Sequence, residues 1–169
     1  NFGQTVPSLY LAKKIKERNP NIRIIFGGAE ASGELGISIL QNFSQVDFIC
    51  NGEGEKPLLE LWKAGLDSTG ISGILNAKST VKDIRTNQIE NLGTLPVPDF
   101  TDYFEVIEEK LGGDISICTT LPVESSRGCY FDCSFCALNL QWDNFRIVPK
   151  EQLVFNIQTL VEKYKALDI

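Results

Sequence analysis

Two short β-branched runs, Ile22–Phe26 and Val46–Cys50, each pass through glycine into a helical pattern, and this alternation constrains the fold more than any other feature of the chain. The first run ends at Gly27-Gly28 and is followed by Leu35, Ile39, Leu40 and Phe43 at helical spacing. The second ends at Asn51-Gly52-Glu53-Gly54-Glu55 and leads into a helix from Pro57 that carries Leu58, Leu59, Leu61 and Trp62. A helix before the first run is predicted to start at Thr5-Val6-Pro7, with Leu11 and Ile15 on its apolar stripe, and to stop at Asn19-Pro20. Strands separated by helices of this length predict βαβ units with right-handed crossovers and a mainly parallel sheet.

The rhythm breaks between Gly65 and about Asp114, where a hairpin is expected around Thr86-Asn87. Pro96 and Pro98 enforce an extended course, so Asn91 to Phe104 reads as a linker. Ile115–Cys118 and Leu121–Glu124 read as short extended segments, the second running into a group of cysteines. The clearest helix spans Lys150 to Leu167, with Leu153, Ile157, Leu160, Val161 and Tyr164 on one stripe. Asp168-Ile169 reads as the possible start of another strand.

Composition bounds the function. With 169 residues, 43% hydrophobic and 22% charged, the chain has the make-up of a globular domain. No apolar run approaches the ~20 residues of a membrane span, and no secretory leader pattern opens the chain, so a membrane is not expected and a cytoplasmic location is. Sixteen Lys and Arg against 22 Asp and Glu leave a net charge of -6, which argues against a phosphate-tracking surface and against nucleic acid as partner. The chain lacks Met and is expected to be a fragment or a processed form.

Five cysteines cannot pair completely within one chain. Cys129, Cys133 and Cys136 fall within eight residues at Cys-x3-Cys-x2-Cys spacing, whereas Cys50 and Cys118 lie apart in apolar surroundings and read as packing residues. Short gaps let neighbouring sulfurs converge on one metal centre. Structural zinc normally takes four ligands, and the chain has no His, so a zinc-binding structural module would draw its fourth from Cys50, Cys118 or a carboxylate such as Asp132. Three thiolates without a fourth suit a four-iron four-sulfur cluster whose last iron stays open for chemistry.

Cys129-x3-Cys133-x2-Cys136, with Phe135 before the last cysteine, resembles the signature of the radical SAM enzymes. The resemblance implies that Cys129, Cys133 and Cys136 hold a 4Fe-4S cluster, that S-adenosylmethionine chelates its open iron, and that Phe135 lies against the adenine. It implies reductive cleavage of S-adenosylmethionine to a 5′-deoxyadenosyl radical, and hence an electron donor such as a flavodoxin or ferredoxin. The family's Gly-Gly-Glu-type segment for the methionyl amine would lie on a later strand; Gly112-Gly113-Asp114 precedes the cysteines.

Upstream, Ile24–Ala31, Val46–Ile49 and Gly52-Glu53-Gly54-Glu55 resemble the C-terminal half of the cobalamin-binding domain that precedes many radical SAM barrels. That likeness implies Gly27 and Gly28 bordering the nucleotide tail of cobalamin, with Gly52, Glu53 and Gly54 nearby. From the residues alone, Gly27-Gly28 reads first as a plain tight turn, and Glu53 with Glu55 as a solvated turn capping the next helix. Leu95–Phe104, Glu124–Gly128, Phe135–Asn139 and Phe145-Arg146 further resemble the subgroup that matures ribosomally made peptides, although Arg127 and Arg146 also read as plain surface charges.

The expected fold is α/β: the C-terminal part of a Rossmann-like (flavodoxin-like) cobalamin-binding domain over 1–90, a Pro-containing linker over 91–114, and the first βα unit of a radical SAM (β/α) partial barrel over 115–169. The implied function is hydrogen abstraction, followed by cobalamin-dependent C-methylation of a peptide or small-molecule substrate by a methyltransferase. A radical SAM enzyme of other outcome without cobalamin is the alternative, and the isolated chain is expected to be inactive.

Overall fold

The computed structural model describes residues 3–84, 87–112, 120–131, 133–136 and 142–164. The expected segment Ile115–Cys118, Asp132, the residues 137–139 and Asp168-Ile169 lie outside them. The chain forms two compact units, one of Asn1–Ile89 with Gly128–Phe145, the other of Glu90–Arg127 with Arg146–Ile169.

In the first unit, helix α1 (Thr5–Arg18) starts and stops where Pro7 and Asn19-Pro20 predict. Its buried stripe is Leu9 and Ala12, and Leu11 is 59% exposed, so the expected stripe was rotated from the real one. Strand β1 (Ile25–Gly27) pairs in parallel with β2 (Phe48–Cys50), and α2 (Gly33–Asn42) connects them. Here Gly36, Ile37, Ile39 and Leu40 are buried, while Leu35 and Phe43 are exposed. A Cβ at Gly36 would collide with the Ala31 carbonyl and Ile49, so glycine lets α2 lie close on the sheet.

Helix α3 (Glu55–Lys63) buries Pro57 and Leu61 only; Trp62 is 76% exposed. The third strand, β3 (Ile74–Asn76), runs antiparallel to β2 and gives the order β1-β2-β3. This strand was not foreseen, and the three-stranded sheet is mixed. Leu66 adopts φ 69°, uncommon for a residue with a Cβ, and packs against the cluster of Phe48, Cys50, Leu61 and Ile74. Around the expected hairpin, Arg85 and Thr86 are outside the described residues, and Val81–Asp83 before them is a 3-10 turn with a Thr80/Asp83 capping box.

Asp47 joins these elements. Its carboxylate accepts hydrogen bonds from Lys16 Nζ (2.7 Å), Arg23 Nη1 (2.8 Å) and the Ile24 amide (2.8 Å), tying the end of α1 and the start of β1 to β2. Burial opposes ionisation of Asp47, but the donors from Lys16, Ile24 and Arg23 outweigh it and hold the carboxyl below its ordinary value.

In the second unit the stretch Leu95–Phe100 is irregular, as Pro96 and Pro98 require, but α4 (Thr101–Leu111) occupies residues read as linker. Strands β4 (Ser126–Arg127) and β5 (Arg146–Ile147) form a two-residue antiparallel pair, and α5 (Lys150–Tyr164) follows where its periodicity predicts. Leu121 and Leu160 are buried together, with Val97, Phe100, Phe104, Val123 and Tyr164 around them. The Tyr164 hydroxyl accepts from the Phe100 amide (2.7 Å) and donates to Asp99 (2.6 Å), while its ring stacks on Phe104 at 4.9 Å. Arg146 is buried, contrary to its reading as a surface charge.

Candidate metal centre

The segment Gly128–Phe145 carries the three clustered cysteines. Gly128 has φ +88°, and a Cβ there would stand 2.5 Å from the Asn144 carbonyl oxygen, so a side chain is excluded by both torsion and space. Two residues on, the Tyr130 ring packs on Phe145, with centroids 4.1 Å apart and planes tilted by 34°. Beyond it the Cys136 amide donates to the Cys133 carbonyl (2.9 Å), a turn that brings the last two cysteines close along the backbone. The Phe131 amide donates to Cys129 Sγ at 3.4 Å.

Cys129 and Cys133 are exposed, Cys136 is partly so, and none is in a disulfide. Phe135 is 89% exposed, with Tyr130 and Phe131 also open to solvent. Among the described residues no three His, Cys, Asp or Glu side chains are gathered into a set that could hold a metal ion, so the three sulfurs do not yet converge. Thiolates repel one another, and such a ligand set rarely closes before its metal arrives. The donor chemistry nonetheless fits an iron–sulfur cluster: three unpaired, accessible thiols on one short loop. In the same segment the Trp142 indole nitrogen is buried and has no hydrogen-bond partner among the described residues, a donor without an acceptor.

Cys50 is of a different kind. It is buried at the end of β2 among Phe48, Leu61 and Ile74, and desolvation together with the Glu55 charge pushes its thiol pKa up. It is a packing residue, as expected, and it does not join the three loop thiols as a fourth zinc ligand among the described residues. Cys118 and Asp132, the other possible fourth ligands, lie outside the described residues.

The strand-end glycines divide into two groups. Gly27 is in register with Cys50, so both parallel strands end at one edge and their loops emerge side by side. Gly27 and Gly28 are exposed; Gly28 has φ +87° and nothing within 4 Å of where its Cβ would be. Beside them, α1, β1 and the turn at Ala29–Ala31 enclose a cleft of about 360 Å³ touched by Ser8, Ala12, Phe26, Gly27 and Glu30. A small molecule can approach the backbone there.

The other loop is filled by its own chain. A Cβ at Gly52 would stand 2.9 Å from the Asn87 carbonyl oxygen, and one at Gly54 would press on Leu58. Glu53 is only 5% exposed, which excludes a solvated turn: its Oε2 accepts from the Ile89 amide at 2.6 Å and its own amide donates to Asn87. Glu55 does sit in the first turn of α3, exposed, as the capping alternative held. Asn51 is buried as well, and its Oδ1 accepts from the first amide of α2, Gly33, at 2.6 Å. Sequence reasoning passed over Asn51; an Asn directly after a strand and before a glycine was the one available signal.

No family model matches the chain. It is 28% identical over 173 aligned positions to an anaerobic magnesium-protoporphyrin IX monomethyl ester cyclase of Rubrivivax gelatinosus, an alignment covering 94% of this chain and 30% of that protein. It is 27% identical to the cobalamin-dependent radical SAM methyltransferase TokK of Streptomyces tokunonensis, covering 75% of this chain and 19% of the relative. A match at 29% identity to the uncharacterized methyltransferase PH0819 of Pyrococcus horikoshii covers 78% and 28%. The chain thus spans under a third of the length of these relatives. Among the described residues no helix is long and apolar enough to cross a membrane. These similarities, one of them to a cobalamin-dependent radical SAM methyltransferase, agree with the resemblance to cobalamin-binding-domain-containing radical SAM enzymes that the sequence carries.

Proposed function

We propose that this chain is part of a cobalamin-dependent radical SAM enzyme, in which Cys129, Cys133 and Cys136 hold a 4Fe-4S cluster for S-adenosylmethionine. The observation that carries the reading is the contrast among the described cysteines: three cysteines outside any disulfide, two exposed and one partly so, share one loop, while Cys50 is packed in the sheet. When bound, the cluster supplies the electron that cleaves S-adenosylmethionine and starts hydrogen abstraction from the substrate. Phe135, almost wholly exposed, is free to lie against the adenine.

Residues 1–90 then form the end of a Rossmann-like cobalamin-binding domain, 91–114 a linker and 115–169 the start of the radical SAM domain. In the first of these, Gly27 and Gly28 offer open backbone to the nucleotide tail of cobalamin. Glu53, Gly52 and Gly54 build the neighbouring wall through internal contacts. The outcome favoured is methyl transfer to carbon of a peptide or small molecule, because two of the relatives are called methyltransferases and one of these cobalamin-dependent.

Anaerobic reconstitution of the complete protein with iron and sulfide tests the reading. Iron and acid-labile sulfide in stoichiometric amounts are expected, with loss of the cluster in a Cys133→Ala variant. Stoichiometric zinc without sulfide, or a Cys133→Ala variant with an unchanged cluster, overturns it. Incubation with hydroxocobalamin is expected to leave corrin absorbance on the protein; none after desalting removes the cobalamin half of the reading.

A further inference from the structure

The two neighbours of Cys129 are each held from across the loop, and by consecutive residues. Gly128 lies against the Asn144 carbonyl in a torsion that only glycine adopts freely, and the Tyr130 ring lies on Phe145. Cys129 is therefore flanked on both sides by residues that meet Asn144 and Phe145, and its sulfur accepts from the Phe131 amide. Cys133 and Cys136 share only the single turn bond between them among the bonds described. Resting on the reading of this loop as an iron–sulfur site, we propose that Tyr130, packed against Phe145, is a positioning residue that pre-sets Cys129 as the anchor ligand of the cluster.

The physical basis is preorganisation. A loop whose three ligands are all free loses conformational entropy at every ligand when the cluster binds, and a ligand already in place avoids part of that cost. The ring supplies the restraint: Tyr130 is exposed apart from this contact, and its ring lies against Phe145 with centroids 4.1 Å apart and planes tilted by 34°. The amide-to-sulfur bond that the clamp maintains has a second consequence. Hydrogen bonds to ligand sulfurs stabilise the reduced, more negative cluster and raise its potential.

The test compares the complete protein, reconstituted anaerobically, with its Tyr130→Ala and Tyr130→Phe variants, reading iron release to a chelator and the cluster midpoint potential by spectroscopic redox titration. Loss of one aromatic pair predicts release about two- to tenfold faster in Tyr130→Ala, with a midpoint shifted to more negative potential. Tyr130→Phe, which keeps the ring, is expected to track the parent in both. Because Tyr130 is exposed, the alanine variant is expected to fold, which circular dichroism verifies. Release and potential unchanged in Tyr130→Ala overturn the inference alone, as does Tyr130→Phe behaving like Tyr130→Ala. A parent protein that takes up no cluster overturns the iron–sulfur reading, and this inference with it.

Discussion

Replacing Asp47 by alanine removes the acceptor shared by Lys16, Arg23 and the Ile24 amide, and the structure sets the scale of the loss. The Asp47 and Lys16 side chains are largely shielded, so Ile24 N–H and the Lys16 ammonium would be left without this acceptor in a partly buried setting. An unsatisfied amide costs roughly 1–3 kcal/mol and a charged hydrogen bond about the same. Arg23 is mostly exposed and adds no more than about 0.5 kcal/mol. Asp47→Ala is therefore expected to destabilise the sheet by about 2–6 kcal/mol, and Asp47→Asn, which keeps an acceptor for Ile24, by about half of that. Since the folded carboxyl titrates below its unfolded value, this stability is present above pH ~3.9 and disappears as pH falls through the lower folded value. Native-state hydrogen exchange at the Ile24 and Phe48 amides, at neutral and at acid pH, measures both effects. A loss under about 1 kcal/mol at neutral pH, or a difference from the parent that persists unchanged in acid, would refute this account of how β1 and β2 are held in register.

Glu53→Ala is expected to destabilise the protein by about 1–3 kcal/mol, because the buried Ile89 amide loses its acceptor, while Glu53→Gln retains most of the stability. Unchanged melting with lost hydroxocobalamin binding would instead make Glu53 a ligand contact. In the second unit, hydrogen bonds from Thr101, Tyr164 and Lys163 hold the Asp99 carboxyl well below the usual carboxylate range. Tyr164→Phe removes one of these donors, so the Asp99 titration midpoint followed by NMR is expected to rise towards its ordinary value; a midpoint that stays put would show the Tyr164 bond to be immaterial.

The register of strands and helices was legible where local chemistry decides it. Pro7 and Asn19-Pro20 bracket α1, and the stripe of α5 forms as its spacing requires, because both depend on residues within a few turns of one another. Which face each helix buries was less legible. Leu11, Leu35 and Trp62 are apolar yet exposed, since periodicity identifies a stripe but not what lies opposite it, and much of any protein surface is apolar. Helix α4 was hidden behind Pro96 and Pro98, whose extended bias ends at Phe100, and β3 was hidden among glycines.

The sequence by itself determined the chemistry on offer: three thiols at fixed short spacing beside Phe135, and glycines at the ends of two strands. Spacing along a chain is a covalent property, so no packing can remove it. Only the tertiary structure decided which of those residues are available. It put Gly27 and Gly28 at an open edge, closed the Gly52–Gly54 loop with Asn87 and Ile89, sent Cys50 into the sheet, and set Tyr130 on Phe145 beside Cys129. Burial and hydrogen-bond satisfaction depend on partners far away in sequence, and those partners exist only once the chain has folded.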